Sequence, residues 1–199
     1  MNRRELPVLV FTALYVLAAI PAALRSGNDE FVFYILVMFV LGGLVWLVHR
    51  RVGLTTLTLW GLSLWGLAHM AGGLWTVTEE IGVLYNYRPF AAGPKYDQVV
   101  HAYGFALSTW VCWQALKPAL ADPRPTPGLL FLSALGGMGL GATNEIVEFV
   151  AVLLIPDTNV GGYLNTGWDL VSNGVGAAVA AVLILLFDRG AGGQERPAP

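Results

Sequence analysis

Glu145 and Glu148 stand three residues apart in the stretch ATNEIVEFV, inside an apolar run from Pro127 to Ile155 that holds no other charge. Carboxylates at i,i+3 share one helix face, so both can point at a common centre. Two further pairs repeat the device at i,i+4: Asp97 with His101, and Asp169 with Asn173. His69 is the remaining histidine in an apolar stretch. An ionised side chain at the middle of a membrane helix costs about 2.5–3.5 kcal/mol, less near the interface, and adjacent carboxylates repel. A bound cation, a shared proton or a basic partner must offset this. The nitrogen and oxygen donors of His69, His101, Glu145, Glu148 and Asp169 suit a divalent ion, zinc, manganese or iron, while the single Cys112 makes a thiolate site unsuited. Such an ion activates water or polarises a carbonyl or phosphoryl oxygen. Glu145, Glu148, His101 and Asp97 are then the catalytic candidates. The Glu-x-x-His pattern of di-iron bundles is not met.

The elements that must position these groups follow from composition. The 199 residues are 56% hydrophobic and 12% charged, with mean hydropathy +0.63. Soluble domains carry about 25% charge, so most of this chain avoids water. The net charge of −2 excludes nucleic acid as an evident partner. Six stretches approach the ~20 apolar residues of a membrane helix: Pro7 to Leu24, Phe31 to Val48, Thr55 to Gly73, Tyr96 to Leu116, Pro127 to Ile155 and Trp168 to Phe187. The expected fold is an all-α integral membrane bundle of about six transmembrane helices, one domain over residues 1–189, with 190–199 as a disordered tail. Arg3, Arg4 and the PAA at Pro21 to Ala23 also resemble a signal peptide, but Pro21 and the length favour a retained first helix.

Lys and Arg set the orientation. With the N-terminus cytoplasmic, Arg3, Arg4, Arg50, Arg51, Lys117, Arg124, Arg189 and Arg196 lie inside, and only Arg25, Arg88 and Lys95 lie outside. Both termini are therefore expected in the cytoplasm. His69 then falls near the outer end of its helix, Asp97 at the outer surface, and His101 about 6 Å deeper at 1.5 Å per residue. Glu145 and Glu148 fall in the outer half of the fifth helix, with Asp169 at the rim of the sixth and Asn173 one turn below. Four helices thus bring polar residues to one outer layer, with no polar groups expected in the inner half of helices four to six.

Bland readings stand beside this. Asp97 and Asp169 are good helix caps, a lone His69 is often interhelical glue, and Asn173 could be polar filler. Glu145 and Glu148 fit no cap. GMGLGA, Gly137 to Ala142, lacks the strand a nucleotide loop needs, so Gly137 and Gly141 read as a close-packing face, with Gly42, Gly43, Gly174 and Gly176 serving alike. Trp65 and Trp110 fit neither aromatic belt and are expected between helices or against lipid; Cys112 reads as a buried bystander. The long outer loop TVTEEIGVLYNYRPFAAGPKY is too long and too aromatic for a mere connector; it reads as a lid or substrate-reading element, with Arg88, Tyr87 and Asn173 as substrate-binding candidates. In the second outer loop, Asp157, Asn159 and Asn165 make turns or line the site.

YNYRPF followed by YDQVVHAYGF, then NEIVEF and WDLVSNGVGA, resembles the YjdF-type bacterial inner-membrane proteins over roughly residues 60 to 180. The order Asp-x-x-x-His, Glu, Asp-x-x-x-Asn-x-x-Gly is also similar to the VanZ-like membrane proteins, linked to glycopeptide and lipopeptide resistance, which carry Glu-x-x-Gln where this chain has Glu145 and Glu148. The resemblance implies a multi-pass protein of the bacterial plasma membrane and the choice of Asp97, His101, Glu145, Glu148, Asp169 and Asn173, but no reaction. Three functions remain open: a metal-dependent membrane hydrolase or transferase acting on a lipid or lipid-linked small molecule, a proton- or cation-coupled carrier, and an accessory protein whose polar core is hydrogen-bonded glue.

Overall fold

The structure, a computed structural model, describes residues 3–188. The expected tail at 190–199, and Arg189 and Arg196, lie outside the described residues. Among the described residues there are six α-helices: α1 Leu6–Ser26, α2 Asp29–Val52, α3 Thr56–Leu74, α4 Tyr96–Leu116, α5 Pro127–Leu154 and α6 Tyr163–Phe187. Four of them, α1, α2, α5 and α6, are long and apolar enough to cross a membrane by length and composition. The less apolar α4 packs on α2, α3, α5 and α6. It stands among the other helices and buries Gln98, His101, Ser108 and Thr109.

The helix ends follow from local sequence. Gly27 closes α1 at φ 63°, and the Asn28 side chain then accepts from the Phe31 N–H to open α2. Asp29 and Glu30 lie in the first turn of α2 and His49, Arg50 and Arg51 in its last, each matching the helix dipole. Thr55 and Thr126 cap α3 and α5 by accepting from Thr58 and Leu129 N–H groups. The Gln98 side chain accepts from the Lys95 N–H at the start of α4. The 28 residues of α5 run about 42 Å.

Two boundaries differ from expectation. α6 begins at Tyr163, not Trp168, because Gly161 at φ 80° and Gly162 end the loop and Gly167 is accepted within the helix. Asp169 therefore lies nearly two turns in and is fully buried rather than at a rim. The α3–α4 loop is not wholly irregular: Thr76–Thr78 (β1) and Gly82–Val83 (β2) form a short antiparallel hairpin, followed by a 3-10 turn at Leu84–Asn86. Gly82, at φ 75°, supplies the left-handed residue this reversal uses.

The glycine reading holds where helices touch. A Cβ on Gly137 would meet Thr109 at 2.0 Å, one on Gly141 would meet Asn173 at 2.7 Å, and one on Gly176 would strike the Ala102 carbonyl at 2.0 Å. These contacts let α5 and α6 close onto α4 and onto each other. Gly42 and Gly43 have open space around them and Gly174 only an ordinary contact at 3.7 Å, so those three do not serve. Trp65 packs between helices, edge-on to Phe105 of α4 at 5.6 Å. Cys112 is half-buried rather than buried. Two apolar clusters result. Ala19, Ala23, Phe31, Ile35 and Met70 pack near the end that bears the hairpin, and Trp113, Leu130 and Ile184 near the other.

Candidate metal centre

His101 projects from the second turn of α4 and is 1% exposed. Around it stand groups from three helices. Its Nδ1 lies 3.1 Å from Asn173 Oδ1 and 3.4 Å from Glu145 Oε1. Its Nε2 lies 3.6 Å from both Asp97 Oδ1 and Glu148 Oε1. An Nδ1–H donated to the Asn173 carbonyl oxygen leaves the Nε2 lone pair facing Asp97 and Glu148. This is the outer-shell arrangement that fixes a ligand histidine's tautomer. Two sets of three could each share one ion, their donor atoms all within 4.8 Å of one another: Asp97, His101 and Asp169, or His101, Glu145 and Glu148.

The buried donors fit a cation. His101 Nε2, both Glu145 oxygens, Asp169 Oδ1 and Asn173 Nδ2 are buried without a hydrogen-bond partner. Burying such groups unpaired is unfavourable by a few kcal/mol each. Four of those five atoms have lone pairs that a divalent ion would use.

The other acids are held. Asn144 Nδ2 donates to Glu148 Oε1 at 2.7 Å, one turn away on α5. Asn165 Nδ2 donates to Asp169 Oδ2 at 2.6 Å and reaches Asp97 Oδ2 at 3.4 Å, while its Oδ1 accepts from Lys95 Nζ at 3.2 Å. Lys95 is thus the loop cation that reaches inward. Arg88 donates to the Gly93 carbonyl of its own loop at 2.7 Å, and half-exposed Tyr87 accepts the Tyr96 N–H. Neither joins the cluster, because the loop folds back on itself there. Asn173 stands behind the imidazole and is 1% exposed.

His69 falls outside both three-residue sets. Its Nδ1 lies 2.5 Å from the Tyr85 hydroxyl, which donates to the His69 carbonyl at 3.1 Å. Burial raises the Tyr85 pKa well above its ordinary value, so the hydroxyl remains a donor. The His69 and His101 rings stand 6.2 Å apart, and His69 is an outer neighbour of the centre.

Sequence reasoning missed Glu30. It is 5% exposed, and its Oε2 accepts the Asn159 N–H at 2.7 Å. The available signal was topological, since the start of α2 must lie at the same end as the start of α4. Asp97, Glu148 and His69 join Glu30, Tyr34, Tyr85, Asn144 and Asn159 along an open cleft. Toward the other end the inner halves of α4 and α5 do carry buried polar residues, Ser108, Thr109 and Ser133, contrary to expectation. Each donates to a carbonyl of its own helix, so none extends the cluster.

A family described as "Predicted membrane protein (DUF2238)" matches residues 7–190. The chain belongs to that family. The match takes in all six helices, α1 included, and every member of the His101 cluster. With four helices apolar enough to span, this family member is a membrane protein. No curated protein and no solved structure matches it.

Proposed function

We propose that this protein is a metal-dependent hydrolase or transferase of the bacterial plasma membrane, acting on a lipid or lipid-linked small molecule at the outer face. In this reading all six helices span and both termini are cytoplasmic. The Lys and Arg bias supports that orientation. The lengths of α3 and α4, 19 and 21 residues, suit a span, and the polar groups that lower α4's hydropathy face the bundle interior. α1 acts as a retained helix, since Thr12 pairs with Ser63 of α3 at 2.6 Å and Ala19 and Ala23 enter the core.

The observation that carries the chemistry is the set of orphaned buried donors around His101. His101, Glu145 and Glu148 would hold the ion, and Asn173 keeps the imidazole in the ligating tautomer. A bound divalent ion supplies Lewis acidity and lowers the pKa of coordinated water. Asp97 borders the cleft as well as His101 Nε2, so it is placed to take a proton from a nucleophile entering there. Asp169, tied through Asn165, keeps Asp97 oriented. A core of pure hydrogen-bonded glue would provide donors to both Glu145 oxygens, and among the described residues it provides none.

The test is metal content of detergent-purified protein by elemental analysis, wild type against His101→Ala, after growth with zinc, manganese and iron supplied. The expected result is near one ion per chain in the wild type and a loss in a variant that still elutes as a single species. Metal-free wild type, or equal metal in both, sinks the reading.

A further inference from the structure

The cleft beside the His101 cluster has two chemically different ends. α2 packs on α1, α3 and α4, whereas α5 packs on α4 and α6. Where α2 and α5 face one another, the seam stays open. On α2 it is lined at one end by Glu30 and then by Tyr34, Val37, Met38 and Leu41, a single helical stripe. Val147 and Glu148 of α5 form the facing wall and Gly66 of α3 part of the floor. From Glu30 to Leu41 the stripe rises about 16 Å at 1.5 Å per residue. That is close to half of the ~30 Å hydrocarbon thickness, the depth of one leaflet.

Charge separates the ends. The polar end carries Glu30, Asp97 and Glu148, and the lining contains no Lys or Arg. The loop cations lie outside the lining: Lys95 reaches inward only as far as Asn165, and Arg88 turns onto the Gly93 carbonyl. Glu30 is aimed and held there by the Asn159 N–H. Below this point the α2 stripe is apolar apart from the Tyr34 hydroxyl, while Trp65 and His69 of α3 and Asn144 of α5 also line the cleft.

We propose that the cleft takes one long acyl or alkyl chain between α2 and α5, entering sideways from the outer leaflet, with a protonated amine at its polar end seated against Glu30. The proposal deepens the functional reading by naming a substrate class, cationic single-chain or chain-inserting lipids, and it rests on that reading only for what happens at the head group. Glu30 and Asp97, neither of which holds the ion in that reading, disfavour anionic lipids. Neutral ones gain the apolar burial without the ion pair. The cleft brings the polar end of such a lipid to Asp97 and Glu148, the two acids that also face His101 Nε2.

The experiment uses full-length protein in phosphatidylcholine nanodiscs and three photoreactive probes of equal length, an 18-carbon amine, alcohol and carboxylate, each with a mid-chain diazirine. Peptide mapping should place the amine's label on α2 around Val37 to Leu41 and on α5 near Val147. Labelling by the amine should exceed that by the carboxylate by about tenfold, a difference that is one decade in affinity. Glu30→Gln should bring the amine down to the level of the alcohol, and Val147→Trp should abolish labelling by all three. Metal content and elution profile are measured on the same preparations, so a misfolded variant is recognised. Labelling elsewhere, or equal labelling by amine and carboxylate, overturns the proposal even if metal is bound. Mapped, amine-selective labelling of metal-free wild type sustains the cleft and overturns the metal reading alone.

Discussion

Asp188 and Glu145 are both carboxylates on long apolar helices, at opposite ends of the bundle. Asp188, at the end of α6, accepts from Lys117 Nζ at 2.9 and 2.7 Å and from the Trp113 indole N–H. Its charge has a partner and a second donor. Glu145 has no hydrogen-bond donor: His101 Nδ1 stands 3.4 Å away, near enough to pair with its charge when the imidazole is protonated but outside hydrogen-bonding geometry, and both oxygens are buried. One end of the molecule therefore displays a closed ion pair that ties α4 to α6. The other displays lone pairs that converge and stop short of one another. The contrast separates a carboxylate used as a fastener from one kept open for something else.

Four variants test the contrast, the largest effect first. Glu145→Gln with Glu148→Gln should weaken metal binding by about 100-fold or more, read by competition with a chelator, since two of three ligands change. The metal-free double variant should be no less stable than metal-free wild type, because the amide at 145 removes a buried charge that lacks a hydrogen-bond donor and the amide at 148 keeps an oxygen to accept from Asn144. Asp188→Asn should do the reverse. It should leave metal affinity unchanged and lower stability by about 1–2 kcal/mol, discounted for the partial exposure of the pair. A matching drop at both ends would erase the distinction. Asn173→Ala should reduce metal affinity about 10-fold, at the lower edge of the range for outer-shell partners. His69→Phe keeps a ring against Trp65 and Tyr85 and should change affinity by less than about threefold, since His69 lies outside the ligand sets. A large loss there would enlarge the centre by one histidine.

Much of this site was legible because helical spacing is strict. Asp97 with His101, and Glu145 with Glu148, each span one turn, and the alternation of helix direction sends them to one end. The limits of α4 match the apolar stretch at both Tyr96 and Leu116, where Pro94 and Pro118 punctuate it. Glu30 was hidden by its position, since an acid in a first helical turn already has a sufficient explanation in the dipole. Its burial depends on the α5–α6 loop crossing 129 residues later to donate Asn159 N–H, which no local pattern records. Asp169 was misplaced because Gly167 resembles a helix start, while glycines 161 and 162 do that work. Arg88 was drawn in by its charge alone; only the folded loop reveals the Gly93 carbonyl beside it.

The Asn165 side chain, described above as a tether, has one further property. Its two amide hydrogens face three acceptors: Asp169 Oδ2 at 2.6 Å, the Val160 carbonyl at 3.0 Å and Asp97 Oδ2 at 3.4 Å. Its oxygen meanwhile holds Lys95 of the opposite loop. One amide cannot serve all three acceptors at full strength, so a change in the charge of either aspartate redistributes its bonds. The hairpin loop and the α5–α6 loop meet at this residue, and their backbone protection in hydrogen exchange would then report, from the surface, the electrical state of the centre beneath them.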